Sequence, residues 1–251
     1  MLICPKNKFI FFKPMKCAGS SIEHALYTQS GEDALCAGST LDQFVEYEPR
    51  NNNFIENGHP ALRFHKHTWP SLFRERIGDL SFYDNYKRIT MVRNPWDALV
   101  SYYWWAMRFQ NESQPILIRE DDSPDDVKGK FEYYIFEFYR HQSEILAYEL
   151  NNGEALTCSA WKMFSGINKK FLDPCIDYYI RFESLKEDYS KVCEDLNIKT
   201  VDIPRHKSGI RKVKKHYSEY YNDETRSIVY KGFYDIIDYF GYEFTPTILR
   251  E

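Results

Sequence analysis

Short apolar runs alternate with amphipathic stretches along the chain, a pattern typical of α/β proteins. Three runs rich in aromatic and β-branched residues predict buried strands at residues 9–12, 88–92 and 177–182. Apolar residues at helical spacing predict helices at about 21–27, 70–77, 95–107, 130–150, 185–196 and 223–240. We therefore predict an α/β fold with a mostly parallel central sheet flanked by helices. Because no repeat or low-complexity linker divides the chain, residues 1–251 are predicted to form a single domain.

The first predicted strand leads into a turn and a helix start that contain lysine and serine. Lys13 and Lys16 lie in the turn, and Ser20 and Ser21 lie at the start of the helix. The first N–H groups of a helix lack partners within the helix, and its dipole favours negative charge there. This stretch therefore predicts a site for a phosphate-like anion. The alternative is an ordinary strand–turn–helix with a solvated lysine.

The order of residues in this turn differs from the Walker A motif, in which a glycine precedes Lys-Ser/Thr and the hydroxyl holds magnesium. Here Lys16 precedes Gly19, with Cys17 and Ala18 between them. A lysine and helix-end amides, without a dedicated metal ligand, suit an anion that is bound without Mg²⁺. We therefore expect no metal at this site.

A second polar segment follows the strand at 88–92. Asn94 can cap a helix whose first residue is Pro95. Arg93 can bind a phosphate bidentately, and Ser101, about two helical turns further on, can donate to the same group. Because the carboxyl ends of parallel strands meet at one edge of a sheet, we expect the two segments to share one ligand. Taken alone, the second segment could also be a capped helix with a surface salt bridge.

The composition indicates a soluble globular protein. The 251 residues are 43% hydrophobic and 28% charged, with a net charge of −4. The six cysteines include no Cys-x-x-Cys pair and no compact zinc pattern, and we interpret them as reduced thiols in a reducing compartment rather than as a disulfide framework. No secretory segment and no apolar run near ~20 residues is present. We therefore expect a cytoplasmic protein without a membrane segment.

Residues 199–215 are strongly basic, with seven Lys and Arg against the single acid Asp202. This segment could be a solvated loop, a nucleic-acid patch or a flap over a bound nucleotide. The acidic remainder of the chain and the lack of a recognisable binding motif argue against nucleic acid. The acidic loop 120–126 is most simply a solvated turn, and the alternative is that it selects a cationic acceptor.

The two polar segments together resemble a known family. Lys16-Cys17-Ala18-Gly19-Ser20-Ser21, followed by Val-Arg-Asn-Pro-Trp-Asp-x-x-x-Ser-x-Tyr from residue 92, is similar to the sulfotransferases that use 3′-phosphoadenosine 5′-phosphosulfate. The closest likeness is to the carbohydrate sulfotransferase-like branch. It extends through His67 and through residues 180–185, 220–225 and 240–244, and is weaker at 31–58 and 110–171. Cys17 stands where relatives usually have threonine, and Met15 separates Pro14 from Lys16.

The resemblance implies a P-loop-like nucleotide-binding architecture and a role for each site residue. Residues Lys13–Ser21, including Cys17, Ala18 and Gly19, would form the loop around the 5′-phosphosulfate. Arg93 and Ser101 would hold the 3′-phosphate. Lys16 would bind the oxygen that bridges sulfur and the 5′-phosphate, where negative charge grows during transfer. In the basic segment, the candidates for covering the nucleotide are Lys207, Arg211 or Lys212, and the resemblance does not decide among them.

The acceptor needs a general base. His65 and His67 lie in the segment where the family often has a histidine, and His67-Thr68 fits that pattern better. An imidazole titrates near neutrality and can take a proton from a hydroxyl. His65 is the second candidate for this role, and Glu56 stays open because some relatives use a carboxylate.

The sequence therefore predicts a metal-independent sulfotransferase. It would move a sulfuryl group from 3′-phosphoadenosine 5′-phosphosulfate to a hydroxyl, less favourably an amine, of a carbohydrate or small metabolite. The product nucleotide would be 3′,5′-adenosine bisphosphate. Two alternatives are another nucleotide-dependent transferase, such as a small-molecule kinase, and a non-catalytic nucleotide-binding module.

Overall fold

A computed structural model describes residues 1–36, 67–77, 84–109, 117–137, 175–206 and 209–245. The chain divides into two compact units, each built from two segments. The first contains Met1–Arg93 and Lys169–Ser208, and the second contains Asn94–Asn168 and Gly209–Glu251. All strands of the described residues lie in the first unit. A single domain over 1–251 stays a prediction.

The first unit is built on one five-stranded sheet. Its strands are β1 (Leu2–Cys4), β2 (Phe9–Phe11), β3 (Leu35–Cys36), β4 (Lys87–Val92) and β5 (Tyr178–Arg181), in the order β3-β1-β2-β4-β5. The three predicted strands are therefore confirmed as β2, β4 and β5, which pair in parallel.

The prediction of a mostly parallel sheet is confirmed in part: the sheet is mixed, and the parallel arrangement holds for β2, β4 and β5 but not for β1. β1 runs antiparallel to both β2 and β3. Only residues 5–8 connect β1 to β2, and a parallel crossover needs a dozen residues or more. The short strands β1 and β3, of three and two residues, were not predicted.

Helices α1 (Gly19–Tyr27), α2 (Pro70–Ile77) and α5 (Leu185–Asp195) belong to this first unit. They match the predicted helices to within two residues. An apolar core joins the sheet to α1 and α5, and its members are fully or nearly fully buried: Leu2, Cys4, Phe9, Phe11, Cys17, Ile22, Ala25, Leu26, Ala34, Cys36, Ile89, Met91, Ile180, Tyr189, Val192 and Cys193. The alternation of apolar strands with amphipathic helices thus produces one core around the sheet.

The second unit contains α3 (Pro95–Ala106), α4 (residues 124–137), α6 (Asp223–Gly232) and α7 (Tyr234–Phe240). The predicted cap is confirmed, since the Asn94 side chain accepts from the backbone N–H of Trp96 at 3.1 Å. The predicted apolar face of α3 is buried as expected. The predicted helix at 223–240 is two helices, because Phe233 leaves helical geometry (φ −124°, ψ 19°) with its ring buried. Of the predicted helix at 130–150, residues 138–150 lie outside the described residues.

None of the helices in the described ranges has the length and apolar character needed to cross a bilayer.

Candidate functional site

The turn after β2 starts from Phe12, whose backbone N–H and carbonyl are both hydrogen-bonded. The N–H of Phe12 donates to the carbonyl of Ile89 at 2.8 Å, which extends the pairing of β2 with β4 by one residue. The buried hydroxyl of Thr90 donates to the carbonyl of Phe12 at 3.0 Å. Because β2 and β4 are parallel neighbours, the turns that follow them leave the same edge of the sheet, as predicted.

The turn itself adopts a backbone conformation that is rare outside glycine. Lys16 and Ala18 both have φ of 61°. Left-handed geometry costs a non-glycine residue roughly 1–2 kcal/mol, and alternating right- and left-handed residues form concave anion sites lined by N–H groups. Ala18 is also the residue before α1, and no side chain caps this helix start in the part of the chain that the structure describes. Positive φ at Lys16 and Ala18 is thus the kind of backbone conformation found in anion-binding turns.

Gly19 opens α1 because the Lys13 side chain passes close to it. A Cβ atom at position 19 would lie 2.6 Å from Cγ of Lys13 and 3.2 Å from the carbonyl oxygen of Pro14. No L-residue with a side chain fits there without displacing Lys13. Gly19 is thus required by close packing, not by a positive φ.

Lys13 is buried, and its ammonium forms an ion pair with the buried carboxylate of Glu23 on α1. The other oxygen of Glu23 accepts from the Met1 ammonium at 2.9 Å. Burial acts to raise the pKa of Glu23, but the charges of the Met1 ammonium and Lys13 outweigh it, so this pKa lies below its ordinary value. The ammonium of Lys13, which was predicted to bind the anion, is thus paired with the carboxylate of Glu23 in the interior of the first unit.

Arg93, the residue after β4, reaches the same turn. Its Nη1 donates to the carbonyl of Lys16 at 2.6 Å. The guanidinium lies over the ring of Phe182, 3.9 Å from the ring centroid. The N–H of Phe182 in turn donates to the carbonyl of Val92 at 2.8 Å, so the ring is held beside β4. The predicted meeting of the two strand-end segments is therefore observed for Arg93 and Lys16.

His67 lies against the start of the turn. Its Nδ1 is 2.8 Å from the carbonyl oxygen of Lys13. A carbonyl can only accept, so Nδ1 carries the proton, and in the neutral ring Nε2 has the lone pair. An edge-to-face contact between Phe12 and Phe73, with centroids 5.6 Å apart, packs α2 against the end of β2. His67 is thereby held three residues ahead of α2 with its Nε2 in the form that a general base requires.

The other predicted residues of the turn are divided between the surface and the interior. Cys17 is buried, and its thiol donates to the carbonyl of Met15 at 3.2 Å. Ser20 is partly exposed. Ser21 is buried, and its hydroxyl accepts from the backbone N–H of His206 at 3.2 Å. His65, Glu56 and Lys207 lie outside the described residues.

In the second unit, Ser101 is partly exposed on α3 and Lys212 is exposed. The guanidinium of Arg211 is bound locally. Nη1 lies 3.4 Å from the Asp97 carboxylate, Nη2 donates to the carbonyl of Lys215, and the guanidinium carbon lies 4.9 Å from the ring centroid of Tyr220. Arg211 thus connects Lys215 of the basic segment with Asp97 on α3 and with Tyr220, all in the second unit.

The acidic loop has a local structural use. The carboxylate of Asp122 pairs with the Lys130 ammonium and accepts from the backbone N–H of Arg119 at 2.7 Å. Asp126 accepts from the backbone N–H and hydroxyl of Ser123, at 2.9 and 2.6 Å. These contacts support the interpretation of the loop as a turn that leads into α4.

Sequence reasoning missed three residues that shape the site: Glu23, Thr90 and Phe182. A signal existed for Glu23, because it is a charged residue among the apolar positions Ile22, Ala25 and Leu26 of a short helix. Thr90 and Phe182 gave no signal, since a β-branched or aromatic residue in a strand pattern is expected in any core.

Comparison with known proteins assigns the chain to a family. A family model described as "Sulfotransferase family" matches residues 1–243, nearly the whole chain. Searches of curated proteins and of solved structures returned no match. The matched region includes the turn after β2, His67 and Arg93. The chain therefore belongs to the sulfotransferase family.

Proposed function

We propose that this protein transfers a sulfuryl group from 3′-phosphoadenosine 5′-phosphosulfate to a hydroxyl, or less favourably an amine, of a carbohydrate or small metabolite. The family supports a transferase that moves sulfuryl groups. The observation that carries the finer proposal is the contact between Arg93 and the turn, in which Arg93 donates to the Lys16 carbonyl. The sulfate-donating nucleotide carries phosphate groups at two positions, so its binding needs cations and backbone N–H groups from both segments.

In this proposal the 5′-phosphosulfate binds to the turn that contains Lys16 and Ala18. The left-handed backbone at these two residues supports a concave set of N–H donors, and α1 adds the positive end of its dipole. Cys17 is buried, and its thiol donates to the carbonyl of Met15, so its side chain contributes to the shape of the turn and is not assigned a contact with the phosphosulfate. We assign no donor contact to the Lys13 ammonium, because it pairs with Glu23.

Lys16 has the catalytic role of stabilising the leaving group. In-line displacement at sulfur breaks the bond to the bridging oxygen, and negative charge grows on the departing 5′-phosphate. A cation at that oxygen binds the transition state more strongly than the ground state. The partly exposed Lys16 is the residue of the turn suited to this role, since Lys13 is buried in its ion pair.

His67 is the proposed general base. Its Nδ1–H donates to the carbonyl of Lys13, which leaves the Nε2 lone pair to accept the proton of the acceptor hydroxyl. The proton passes to Nε2 as the acceptor oxygen bonds to sulfur. His65 is retained as the alternative base.

For the 3′-phosphate, Arg93 is the first candidate, because its position beside the turn is supported by contacts to Lys16 and Phe182. Ser101, Lys207, Arg211 and Lys212 are proposed to contribute by resemblance to the family. We further propose that the reaction needs no metal ion, since Lys16, Arg93 and the helix amides supply the positive charge.

A binding comparison followed by a transfer assay tests this function. We expect 3′,5′-adenosine bisphosphate to raise the melting temperature in the presence of EDTA, and ATP with magnesium to leave it unchanged. Labelled sulfate should then pass from the donor to a member of a panel of sugars and small hydroxyl compounds. Stabilisation by ATP with magnesium alone would favour a kinase. Tight binding of the bisphosphate without transfer to any acceptor would favour a non-catalytic module.

A further inference from the structure

The ion pair between Lys13 and Glu23 is buried directly behind the turn, and the proposed reaction does not use either charge. Lys13 is 6% exposed and Glu23 is 3% exposed. We propose that Glu23 is a positioning residue, which acts through Lys13 to set the tautomer of His67 and the shape of the turn that contains Lys16. This inference rests on the proposed function for its effect on transfer, but not for its effect on His67.

Lys13 connects three parts of the site through different atoms. Its ammonium binds Glu23 on α1, and its carbonyl accepts from Nδ1 of His67 at 2.8 Å. Its side chain also passes within 2.6 Å of the place where a Cβ of residue 19 would stand. The conformation of this one residue thus controls the tautomer of the base and the packing of the helix start.

The carboxylate of Glu23 determines where the Lys13 side chain lies. A buried ammonium needs its partner, since leaving it without a counter-charge in the interior is costly. The end of β2 is held by the hydrogen bonds of Phe12 with Ile89 and Thr90. If the Glu23 carboxylate were lost, Lys13 would therefore respond by rotation of its own backbone and side chain. Such a rotation would move the carbonyl that orients His67.

Stability alone is a weak reason for this pair. Replacing a buried ion pair with apolar residues of similar volume is often neutral or stabilising, whereas removing one partner is not. An apolar pair would not fix the side-chain conformation in which Lys13 passes over Gly19. The pair therefore supplies geometry that packing alone would not specify.

The experiment compares Glu23→Gln with the native protein by two independent measurements. The first is ¹⁵N NMR of histidine-labelled protein without ligand, in which His67→Asn identifies the His67 signals. The second is the steady-state rate of sulfuryl transfer. Glu187→Gln, at an exposed position on α5, is the matched control and should change neither measurement.

We expect the native His67 to hold its proton on Nδ1 when neutral, and Glu23→Gln to lose this preference and shift the midpoint of the His67 titration. We expect kcat to fall about tenfold or more, with the acceptor KM changed less than about threefold, because small misplacements of reacting groups are costly. Glu23→Asp retains the charge but shortens its reach, so it should give intermediate values. It replaces Glu23→Gln if that variant does not fold.

Each outcome separates this inference from the proposed function. If the variants keep the native tautomer and midpoint of His67, the positioning role is wrong, whatever their activity. If the variants alter His67 but the native protein transfers no sulfuryl group to any acceptor, the positioning role holds and the proposed function fails. If His67 changes while kcat stays at the native value, the role of Glu23 in transfer is wrong.

Discussion

Arg93 donates from Nη1 to the backbone carbonyl of Lys16 over 2.6 Å, which ties the end of β4 to the turn after β2. The guanidinium is held in this position by the ring of Phe182 beneath it. The Arg93 side chain thus contacts the backbone of Lys16, which has a left-handed conformation, and its positive charge lies beside the turn. This relationship makes the backbone of the turn and the cation next to it parts of one unit.

Replacing Arg93 should weaken nucleotide binding even when the charge is retained. Lysine cannot reproduce the planar fork that donates to the carbonyl and stacks on Phe182. We expect Arg93→Lys to weaken binding of 3′,5′-adenosine bisphosphate by roughly tenfold, about 1.4 kcal/mol, measured by calorimetry. Arg181→Lys, at an exposed position at the end of β5, is the control. Equal affinities for native protein and Arg93→Lys would contradict the assignment.

Replacing Lys16 should impair the chemical step more than binding. We expect Lys16→Ala to lower kcat by about 100-fold or more, because its charge is needed most where the leaving oxygen becomes negative. The affinity for the bisphosphate should change far less, since that product lacks the transferred group. Lys186→Ala on the exposed face of α5 serves as the charge-matched control. Full transfer activity in Lys16→Ala would overturn the mechanism.

His67→Asn should remove the base while retaining the contact that orients it. The amide of asparagine can still donate to the Lys13 carbonyl, but it offers no group that takes a proton near neutral pH. We expect kcat to fall by about 100- to 10,000-fold. The native rate should rise with pH as the imidazole loses its proton, and the variant should lose this rise. His216→Asn, at an exposed histidine, should behave as native; an unchanged pH profile in His67→Asn would point to His65 or Glu56.

Two glycine-to-alanine changes should have opposite effects on stability. The Cβ of Gly19→Ala would meet Lys13 Cγ at 2.6 Å, so we expect a loss of about 1–3 kcal/mol in the free energy of unfolding. Gly129 lies within α4 with no atom within 4 Å of its Cβ position, so Gly129→Ala should add about 0.5–1 kcal/mol. Denaturant unfolding measures both. Equal effects of the two substitutions would show that the crowding at Gly19 is not real.

Asp177 should make part of the stability depend on pH. Burial acts to raise its pKa, but hydrogen bonds from the Arg88 side chain and backbone, with the charges of Arg88 and Lys87, outweigh burial and lower the pKa. A carboxyl whose pKa is lower in the folded state stabilises the folded protein at pH values above its unfolded-state pKa. That contribution is lost as the pH falls through the folded-state pKa.

Asp177→Asn should therefore cost up to about 1 kcal/mol at pH 7, because solvent screens this exposed pair, and progressively less below about pH 4. Denaturant unfolding of both proteins across this range measures the difference. Asp195→Asn, at an exposed residue at the end of α5, controls for the loss of one surface charge. A difference that stays constant down to pH 2 would show that the ion pair does not set this stability.

The local patterns of the chain were sufficient to predict most elements near the site. Asn94 and Pro95 specify the start of α3 because capping and a fixed φ act within a few residues. The apolar runs of β2, β4 and β5 predict buried strands whose carboxyl ends share an edge. The prediction that Lys16 and Arg93 lie close together followed from this alternation alone.

Contacts between residues far apart in the chain decided the rest. The two-residue strand β3 has no pattern of its own and exists through its pairing with β1. Lys13 and Lys16 are the same residue type three positions apart, yet Lys13 is buried on Glu23 while Lys16 is partly exposed beside Arg93. Residue types and spacing determine which groups are available near the turn. Only the packed structure determines which of them are paired in the interior and which lie partly exposed, because burial and pairing depend on the whole unit.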